Sequence, residues 1–532
     1  MHFKTEDTPD DYKKRLLICL FSIALIWCVL ALLTQNWPSW DNMEELVLAS
    51  SFEIFYPKHP PLTTWILYPL TLVFGKKPWL TVFLAYACIS ISQYFIYLLL
   101  RDIQKNQQKP IDEFVPFIAV LCSSLVLYYT IGGSIYNHNT VQLFATAGAI
   151  YFYYSAFQLE QKNISTEYFI KWFFFGVFAS LSLLAKYSAL IQLSLLAVHY
   201  VWKKRFLNKC AVLGLLITCA VILLMTALHF IAVFKAFTLG AGPLSYMAYS
   251  IGNQHKNAID IFDYSNFLLG CVWNIFPVLL IFWIARKNKL KDQNTSGTDK
   301  SETWWNQLAL DSQIFLIGIT FLPLVITLFF ALLTGSHLDA KWAFTFFLTI
   351  GSLLWVFMKV KRDYKYLVRA IFTMHIACIG IFLSASLFEK YAIHRESLAN
   401  FPGDKFTQIL FDRWEEHREF TKGEKIHLVA GDVWSAGLLA LNKKSNDQEI
   451  KILLNGDYEQ SRWLKQEDKK ELILVILNKT LLDTGSSASE AKLNLLNLQG
   501  LLEKSAVRGH ESIQWFDDKP PLEFEWGIVI PH

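Results

Sequence analysis

Apolar residues fall in blocks of roughly 20 positions, bounded by charged residues, from the N-terminal region to residue 387. A helix needs about 20 mostly apolar residues to cross the hydrocarbon core of a bilayer. The pattern therefore predicts eleven membrane-spanning helices, at residues 16–35, 78–100, 114–131, 140–157, 168–185, 187–202, 210–233, 265–285, 309–334, 342–358 and 366–387. The apolar stretch 61–75 is too short to span comfortably, and we expect an interfacial helix there.

Lysine and arginine are unevenly distributed among the loops that join these blocks. We expect the first apolar block to be retained as a membrane helix. If the N-terminus is cytoplasmic, most of the cations lie on the cytoplasmic side, as the positive-inside rule requires. An odd number of spans then places the C-terminus outside. The inside cations include Lys13, Lys14, Arg15, Arg101, Lys105, Lys109, Lys162, Lys203, Lys204, Arg205, Lys209, Arg286, Lys287, Lys289, Lys291, Lys359, Lys361, Arg362 and Lys365.

The pattern changes beyond about residue 389. Short apolar runs at 426–430, 449–454 and 472–477 predict buried strands, and residues 482–499 predict a helix. Alternating strands and helices of this length are typical of a small α/β domain. We therefore predict a transmembrane domain over 1–388, with its first outside loop at 36–77, and an extracytoplasmic α/β domain over 389–532.

Composition agrees with a membrane protein and narrows its partners. Hydrophobic residues make up 53% of the 532 positions and charged residues only 18%, whereas soluble proteins are nearer one-quarter charged. The chain shows no basic, aromatic-interleaved surface of the kind that binds nucleic acid, so the expected partner is the lipid bilayer. The eight cysteines lie in apolar stretches without metal-ligand spacing, and no P-loop motif is present.

The first outside loop contains two carboxylates at helical spacing. Asp41 and Glu44 are three residues apart, so on a helix they share one face. They could act as a general base with an orienting partner, or bind a metal ion. The alternative is structural, with Asp41 capping a short helix and Glu44 completing a capping box.

Lys58 and His59 follow in the same loop and precede two prolines. Prolines force an extended backbone at this point, which holds the pair at the membrane surface. A phosphate at headgroup level is a natural ligand for Lys58. The alternative is a surface lysine that extends its charge to the interface from a helix end.

Three further polar clusters fall on the same predicted side. The cluster at residues 136–139 could bind a hydroxyl-rich ligand. Alternatively, it could form an ordinary turn in which Asn139 caps the next helix. Lys341 could reach a phosphate or anchor its helix at the interface. Polar groups that converge at one membrane face predict a single cavity there. The clusters are Tyr136, Asn137, His138 and Asn139; Lys186 and Tyr187; and Asp339 and Lys341.

The order of these motifs resembles the bacterial branch of the protein mannosyltransferase and aminoarabinose lipid A transferase superfamily. Asp-x-x-Glu at 41–44 precedes Lys-His-Pro-Pro-Leu-x-x-Trp at 58–65, Asn-His-Asn at 137–139 and Ala-Lys-Tyr at 185–187. The resemblance implies a polytopic α-helical GT-C fold of about 11–13 transmembrane helices. Asp41 matches the family's first-loop catalytic acid and Lys58 its donor-phosphate lysine. The chain differs in having Asn137 and Asn139 where related enzymes often carry another acid.

The resemblance implies an inner-membrane glycosyltransferase that takes a sugar from a polyprenyl phosphate on the periplasmic face. The acceptor would be an envelope lipid such as lipid A, another glycan or a protein. Glu44 would hold Asp41 or a cation, and His59 and Lys341 would assist Lys58 at the phosphate. No cofactor is certain, although a divalent cation is possible. The rival interpretations are a transporter or flippase for a lipid-linked glycan, and a non-catalytic scaffold.

Overall fold

The computed structural model describes residues 9–105, 112–159, 165–239, 242–244, 261–295, 302–336, 338–360, 364–442, 449–479 and 488–531. The chain forms two compact units that do not follow chain order. The helical unit comprises Met1–Val29, Ile54–Thr63 and Phe83–Phe382, and the sheet unit comprises Leu30–Glu53, Thr64–Val82 and Leu383–His532. The predicted boundary at residue 388 separates a transmembrane domain from a soluble domain. It is a different kind of division from these two units, and it stays a prediction.

Seven helices in the described part of the chain are long and apolar enough to cross a membrane. Their outward faces expose large apolar side chains, for example Leu224 at 83% and Leu33 at 78%, which are stable only against lipid. The chain is therefore a multi-pass membrane protein. These helices are α1 (Pro9–Thr34), α4 (Pro78–Lys105), α7 (Thr166–Ala185), α9 (Lys209–Thr238), α10 (Ile261–Thr295), α12 (Leu310–Thr334) and α13 (Lys365–Tyr391).

The remaining predicted spans form shorter or more buried elements. They are α5 (Phe114–Ser123), α6 (His138–Leu159) and α8 (Ala189–Trp202), and the predicted interfacial segment is the 13-residue helix α3 (Leu62–Phe74). Residues 342–358 were expected to form a helix, but the structure has 3-10 turns there, at Ala340–Ala343 and Ile350–Val356. Ser123 explains part of this difference, because its hydroxyl accepts the backbone N–H of Gly351 at 2.9 Å and replaces a helical bond.

Close helix packing in the helical unit depends on glycine. A Cβ at Gly148 of α6 would lie 2.2 Å from the ring of Phe178 in α7. A Cβ at Gly214 of α9 would lie 2.4 Å from Trp172, also in α7. Small residues let membrane helices approach until their side chains interlock, so α6, α7 and α9 form one rigid group.

The sheet unit contains a five-stranded mixed sheet of order β2-β1-β3-β5-β4. β2 and β3 flank β1 in parallel, and β5 pairs antiparallel with both β3 and β4. The three predicted strands are confirmed within a few residues, whereas the β4–β5 hairpin was missed. The strands are β1 (Leu428–Gly431), β2 (Lys451–Leu454), β3 (Ile473–Leu477), β4 (Val507–Ile513) and β5 (Leu522–Val529).

Helices cover both faces of this sheet. On one face, Leu498 and Leu502 of α17 (Ala488–Glu503) pack in a cluster with strand residues that include Leu428, Ala430 and Val475. The helix predicted at 482–499 is thus confirmed from Ala488 onward, and its first residues lie outside the described part. On the other face lie α14 (Gly403–Glu416) and α16 (Val433–Leu441), together with the first-loop helix α2 (Trp40–Leu48). The described part of the chain also contains the four-residue helices α11 (Trp304–Gln307) and α15 (Arg418–Thr421).

Candidate functional site

The carboxylates of the first loop lie on helix α2, as their spacing predicts. Trp40, Met43 and Val47 form its apolar stripe, so the helix buries that stripe and leaves Asp41 and Glu44 partly buried. The helix is capped by Ser39 rather than Asp41. The Ser39 side chain makes no capping hydrogen bond, but Asp41 lies inside the first turn, so the interpretation of Asp41 as the N-cap residue is wrong.

Glu45, which the sequence reasoning overlooked, is the most buried carboxyl of this helix. Its side chain is 3% exposed, and its Oε2 accepts the hydroxyl of Thr64 at 2.8 Å. Burial raises the pKa of Glu45 to about 8, and the neighbouring Glu44 and Asp41 add to the rise. Glu45 is consequently a neutral acid below pH 8 that ties α2 to the start of α3.

In the helical unit, two imidazoles meet at the start of α6. The rings of His59 and His138 lie 4.0 Å apart, and burial, with His59 and Lys186 nearby, lowers the pKa of His138 well below 6.5. The Nδ1 atom of His138 is buried without a hydrogen-bond partner among the described residues. An orphaned ring nitrogen beside a second imidazole is a feature that a bound ligand would complete.

Asn137 holds this turn in place. Its Oδ1 accepts the backbone N–H groups of Asn139 and Thr140, at 2.9 and 3.1 Å. Asn137 is therefore the cap of α6, a role that the sequence analysis gave to Asn139 as one alternative. Asn139 is left to bind a different partner.

Lys186 is the C-cap residue of α7, and its side chain reaches the start of α6. Its ammonium donates to Oδ1 of Asn139 at 2.5 Å and lies 5.9 Å from the ring centre of Trp342. Burial lowers the pKa of Lys186 to about 8, against the opposing effect of Asp339. A half-desolvated cation of this kind gains much from a phosphate ligand.

Asp339 and Lys341 lie at the exposed edge of the helical unit. Oδ1 of Asp339 accepts the backbone N–H of Lys341 at 2.9 Å, and their side chains approach to 3.8 Å. Lys341 is 61% exposed. It therefore resembles an interfacial cation more closely than a buried phosphate ligand, and its proposed role at the phosphate stays a prediction.

The two tyrosines predicted to bind substrate are engaged within the protein. The hydroxyl of Tyr136, fully buried, donates to the carbonyl of Thr63 at 2.8 Å. Tyr187 bonds to Nε2 of His229 at 2.9 Å, and Nδ1 of His229 bonds to the carbonyl of Ile54 at 2.8 Å. These contacts hold the segment that carries Lys58 and His59 against α9. His229, a lone ionisable residue inside an apolar span, was a signal that the sequence reasoning missed.

The predicted residues thus separate into two sets. The helical unit contains the cationic set, which we name after the ammonium groups of Lys58 and Lys186. It also includes three polar neighbours, His59, His138 and Asn139. The last three and Lys186 are linked by the contacts above, and Lys58 adjoins His59. The sheet unit contains the carboxylate set, defined as Asp41, Glu44 and Glu45. That the two sets serve one substrate stays a prediction.

The side chains do not form a ready-made metal site. Among the described residues, no group of three or more His, Cys, Asp or Glu side chains is arranged to hold a metal ion. The possible divalent cation stays a prediction. Without a metal ion, the arrangement offers two ammonium groups with polar neighbours for a phosphate, and carboxylates for a proton.

One protein-family model matches part of the chain. Residues 58–230 match the family described as dolichyl-phosphate-mannose-protein mannosyltransferase. The matched segment contains the whole cationic set. No curated protein sequence matches the chain.

Three solved structures match the chain, and the first of them is similar in fold. A crystal structure of ArnT from Cupriavidus metallidurans bound to undecaprenyl phosphate has a TM-score of 0.52 and 11% identity, and the match covers 88% of this chain and 95% of that one. The Archaeoglobus fulgidus oligosaccharyltransferase in its apo form has a TM-score of 0.44 and 12% identity, over 93% and 79% of the two chains. The S. cerevisiae protein O-mannosyltransferase Pmt1-Pmt2 complex bound to the sugar donor has a TM-score of 0.33 and 18% identity, and this chain spans only 34% of that one.

Proposed function

We propose that this chain is a glycosyltransferase of the GT-C superfamily, which transfers a sugar from a polyprenyl-phosphate donor to a cell-envelope acceptor. The family match over residues 58–230 and the fold similarity to ArnT support this proposal. The acceptor would be a lipid such as lipid A, another glycan or a protein. The reaction would take place at the periplasmic face of the inner membrane, with the N-terminus in the cytoplasm. This orientation is supported by the excess of lysine and arginine in the predicted inside loops.

The observation that carries this proposal is the cationic set. The ammonium of Lys186, the orphaned nitrogen of His138 and the ring of His59 lie together in the segment that matches the mannosyltransferase family. Lys58 is partly buried beside them. Preorganised cations in a partly dehydrated site stabilise a departing phosphate far better than water does.

The proposed reaction is a single displacement at the anomeric carbon. The bond from that carbon to the phosphate oxygen breaks, and its electron pair leaves with the polyprenyl phosphate. The acceptor hydroxyl forms the new bond to the same carbon, and its proton passes to the carboxylate of Asp41. Glu44, one helical turn from Asp41, would hold Asp41 in position. The anomeric configuration is expected to invert.

The test compares cells that lack the protein with cells that produce either the natural chain or Asp41→Asn. Mass spectrometry of envelope lipids, glycans and proteins should show one glycosyl unit restored by the natural chain. Asp41→Asn, which keeps size but not charge, should insert at the same level and restore nothing. Full restoration by Asp41→Asn would remove Asp41 from the mechanism.

The rival interpretation makes different predictions. A transporter or flippase would move a lipid-linked glycan without forming a new glycosidic bond. Its loss should make that glycan accumulate on the cytoplasmic side, and the purified full-length protein should not release polyprenyl phosphate from its sugar-linked form.

A further inference from the structure

Helix α2, which carries the carboxylate set, is part of the hydrophobic core of the sheet unit. Met43 and Val47 are 0% and 2% exposed and pack among the core residues of the sheet. Residues two positions apart on a helix are separated by about 200° around its axis. Asp41 therefore lies on roughly the opposite side of α2 from Met43.

Helix α16 is the surface against which this stripe packs. A Cβ at Gly437 of α16 would lie 2.7 Å from Sδ of Met43 and 3.1 Å from Cγ2 of Val47. Real Cβ atoms essentially never approach another heavy atom to 2.7 Å, so an alanine at position 437 would force the Met43 side chain to shift or the two helices to separate. Gly437 thus fixes how near α2 lies to α16.

Trp434 holds the segment that leads into α2. Its indole Nε1–H donates to the carbonyl of Pro38 at 3.1 Å, and its ring is fully buried edge-on to Phe401, with centroids 4.5 Å apart. A second close approach lies nearby, where a Cβ at Gly403 would lie 2.5 Å from the indole of Trp37. The backbone N–H of Asn36 also donates to the carbonyl of Ala399 at 2.9 Å. The entry to α2 is therefore fixed at several points by the tail.

The position of these contacts on the sheet is informative. Trp434 comes three residues after the end of β1, which lies between the parallel strands β2 and β3. Open α/β sheets usually bind ligands just beyond the carboxyl ends of such strands. Here the residue in that position binds the chain's own first-loop segment.

From these contacts we infer that the C-terminal sheet domain positions the α2 carboxylates for the reaction, with Gly437 and Trp434 as its positioning residues. The inference rests on the proposed function, because it assumes that Asp41 acts on the acceptor. A displacement of about 1 Å at a reacting group can cost about 10²-fold in rate. The packing of α2 against α16 is what would prevent such a displacement.

The test substitutes Gly437→Ala in the full-length protein, with Gly500→Ala as its matched control. Both glycines are helical, but a Cβ at Gly500 would have nothing within 4 Å. Alanine is the better helix former by about 1 kcal/mol, so loss of helix α16 cannot explain a defect. Two quantities are measured: the rate of acceptor modification, and the affinity of the purified protein for undecaprenyl phosphate as probe.

We expect Gly437→Ala to slow acceptor modification by about 10- to 100-fold while the affinity for undecaprenyl phosphate is unchanged, and Gly500→Ala to alter neither. Adding Met43→Ala to Gly437→Ala removes the clashing sulfur and should recover most of the rate. Trp434→Phe keeps an aromatic ring but loses the indole N–H that donates to Pro38, and it should produce a smaller loss of rate.

Three outcomes would overturn the inference: an unchanged rate in Gly437→Ala, a defect that Met43→Ala does not relieve, or a parallel loss of undecaprenyl phosphate binding. Failure of the proposed function looks different. In that case Asp41→Asn keeps its activity, whatever the Gly437 variants do.

Discussion

The cationic set and the carboxylate set are built in different ways. The carboxylates lie within five consecutive residues of one helix, so helix geometry alone fixes their spacing. The cationic set is assembled from three separate segments, around residues 58–59, 138–139 and 186, which converge where helices begin or end. The carboxylates are held by a hydrophobic core, whereas the cations are held by hydrogen bonds and ring contacts. We therefore expect the carboxylate set to respond to changes in packing, and the cationic set to changes in charge and pH.

After Asp41→Asn, the largest effect should follow from Lys58→Met. Removing the ammonium takes away charge stabilisation of the departing phosphate, and we expect the rate of acceptor modification to fall by about 10²- to 10³-fold. The measurement is mass spectrometry of the acceptor. Lys77→Met is the matched control, since Lys77 is an exposed lysine of the same loop region and should leave the rate unchanged. Equal rates in the two variants would contradict a phosphate role for Lys58.

Lys186 should give the next effect, and it can be separated by pH. Its pKa of about 8 means that the ammonium is present below pH 8 and is lost as pH rises above it. The affinity of the purified protein for undecaprenyl phosphate should therefore weaken between pH 7 and pH 9. Lys186→Met should weaken binding at pH 7 by about 10- to 100-fold, as expected for loss of a charge-assisted bond.

Lys186→Arg provides the control for this pH dependence. Arginine stays charged to above pH 12, so the variant should bind undecaprenyl phosphate almost equally at pH 7 and pH 9. If the natural chain and Lys186→Arg weaken in parallel, another group is responsible for the pH dependence.

A smaller effect should follow from Tyr187→Phe. The change removes one hydrogen bond to His229, worth about 0.5–1.5 kcal/mol, and loosens the support of the Lys58 segment. We expect undecaprenyl phosphate to bind about 3- to 10-fold more weakly, since 1.4 kcal/mol is tenfold in affinity. A variant that changes thermal stability but not binding would assign the Tyr187–His229 contact a purely structural role.

The smallest effect on activity should come from Glu45→Gln. Burial favours the uncharged acid, so the stability that Glu45 contributes at low pH is lost as pH rises from 4.5 through about 8. Glutamine has no charge to bury, and the variant should therefore raise the Tm at pH 9 by a few degrees, about 2–4 °C per kcal/mol, with little change at pH 5. Activity at pH 7 should stay near that of the natural chain.

This last variant also checks the assignment of the base. If Glu45→Gln abolished acceptor modification while Asp41→Asn retained it, the proton acceptor would be Glu45 rather than Asp41.

Much of the fold follows from local patterns in the sequence. Apolar blocks longer than about 18 residues can satisfy their backbone in lipid only as helices, which is why the long spans are found where hydropathy places them. The buried strands of the tail are equally visible as short apolar runs. The β4–β5 hairpin was not predicted because exposed and half-buried residues alternate along β4, with no run of apolar positions. In β5, however, Leu522, Phe524, Trp526 and Ile528 are buried at alternate positions.

The sequence by itself determined the helix that carries Asp41 and Glu44, since spacing along one helix is a local property. It also predicted which residues could meet a phosphate, and that part stays a prediction. Only the tertiary structure decided that Lys186 meets Asn139, that His138 lies against His59, and that Glu45 is a buried neutral acid. It alone decided that α2 packs on α16 through Gly437. These are contacts between residues far apart in the chain. They depend on how the elements within each unit pack, which no local pattern of polar and apolar positions specifies.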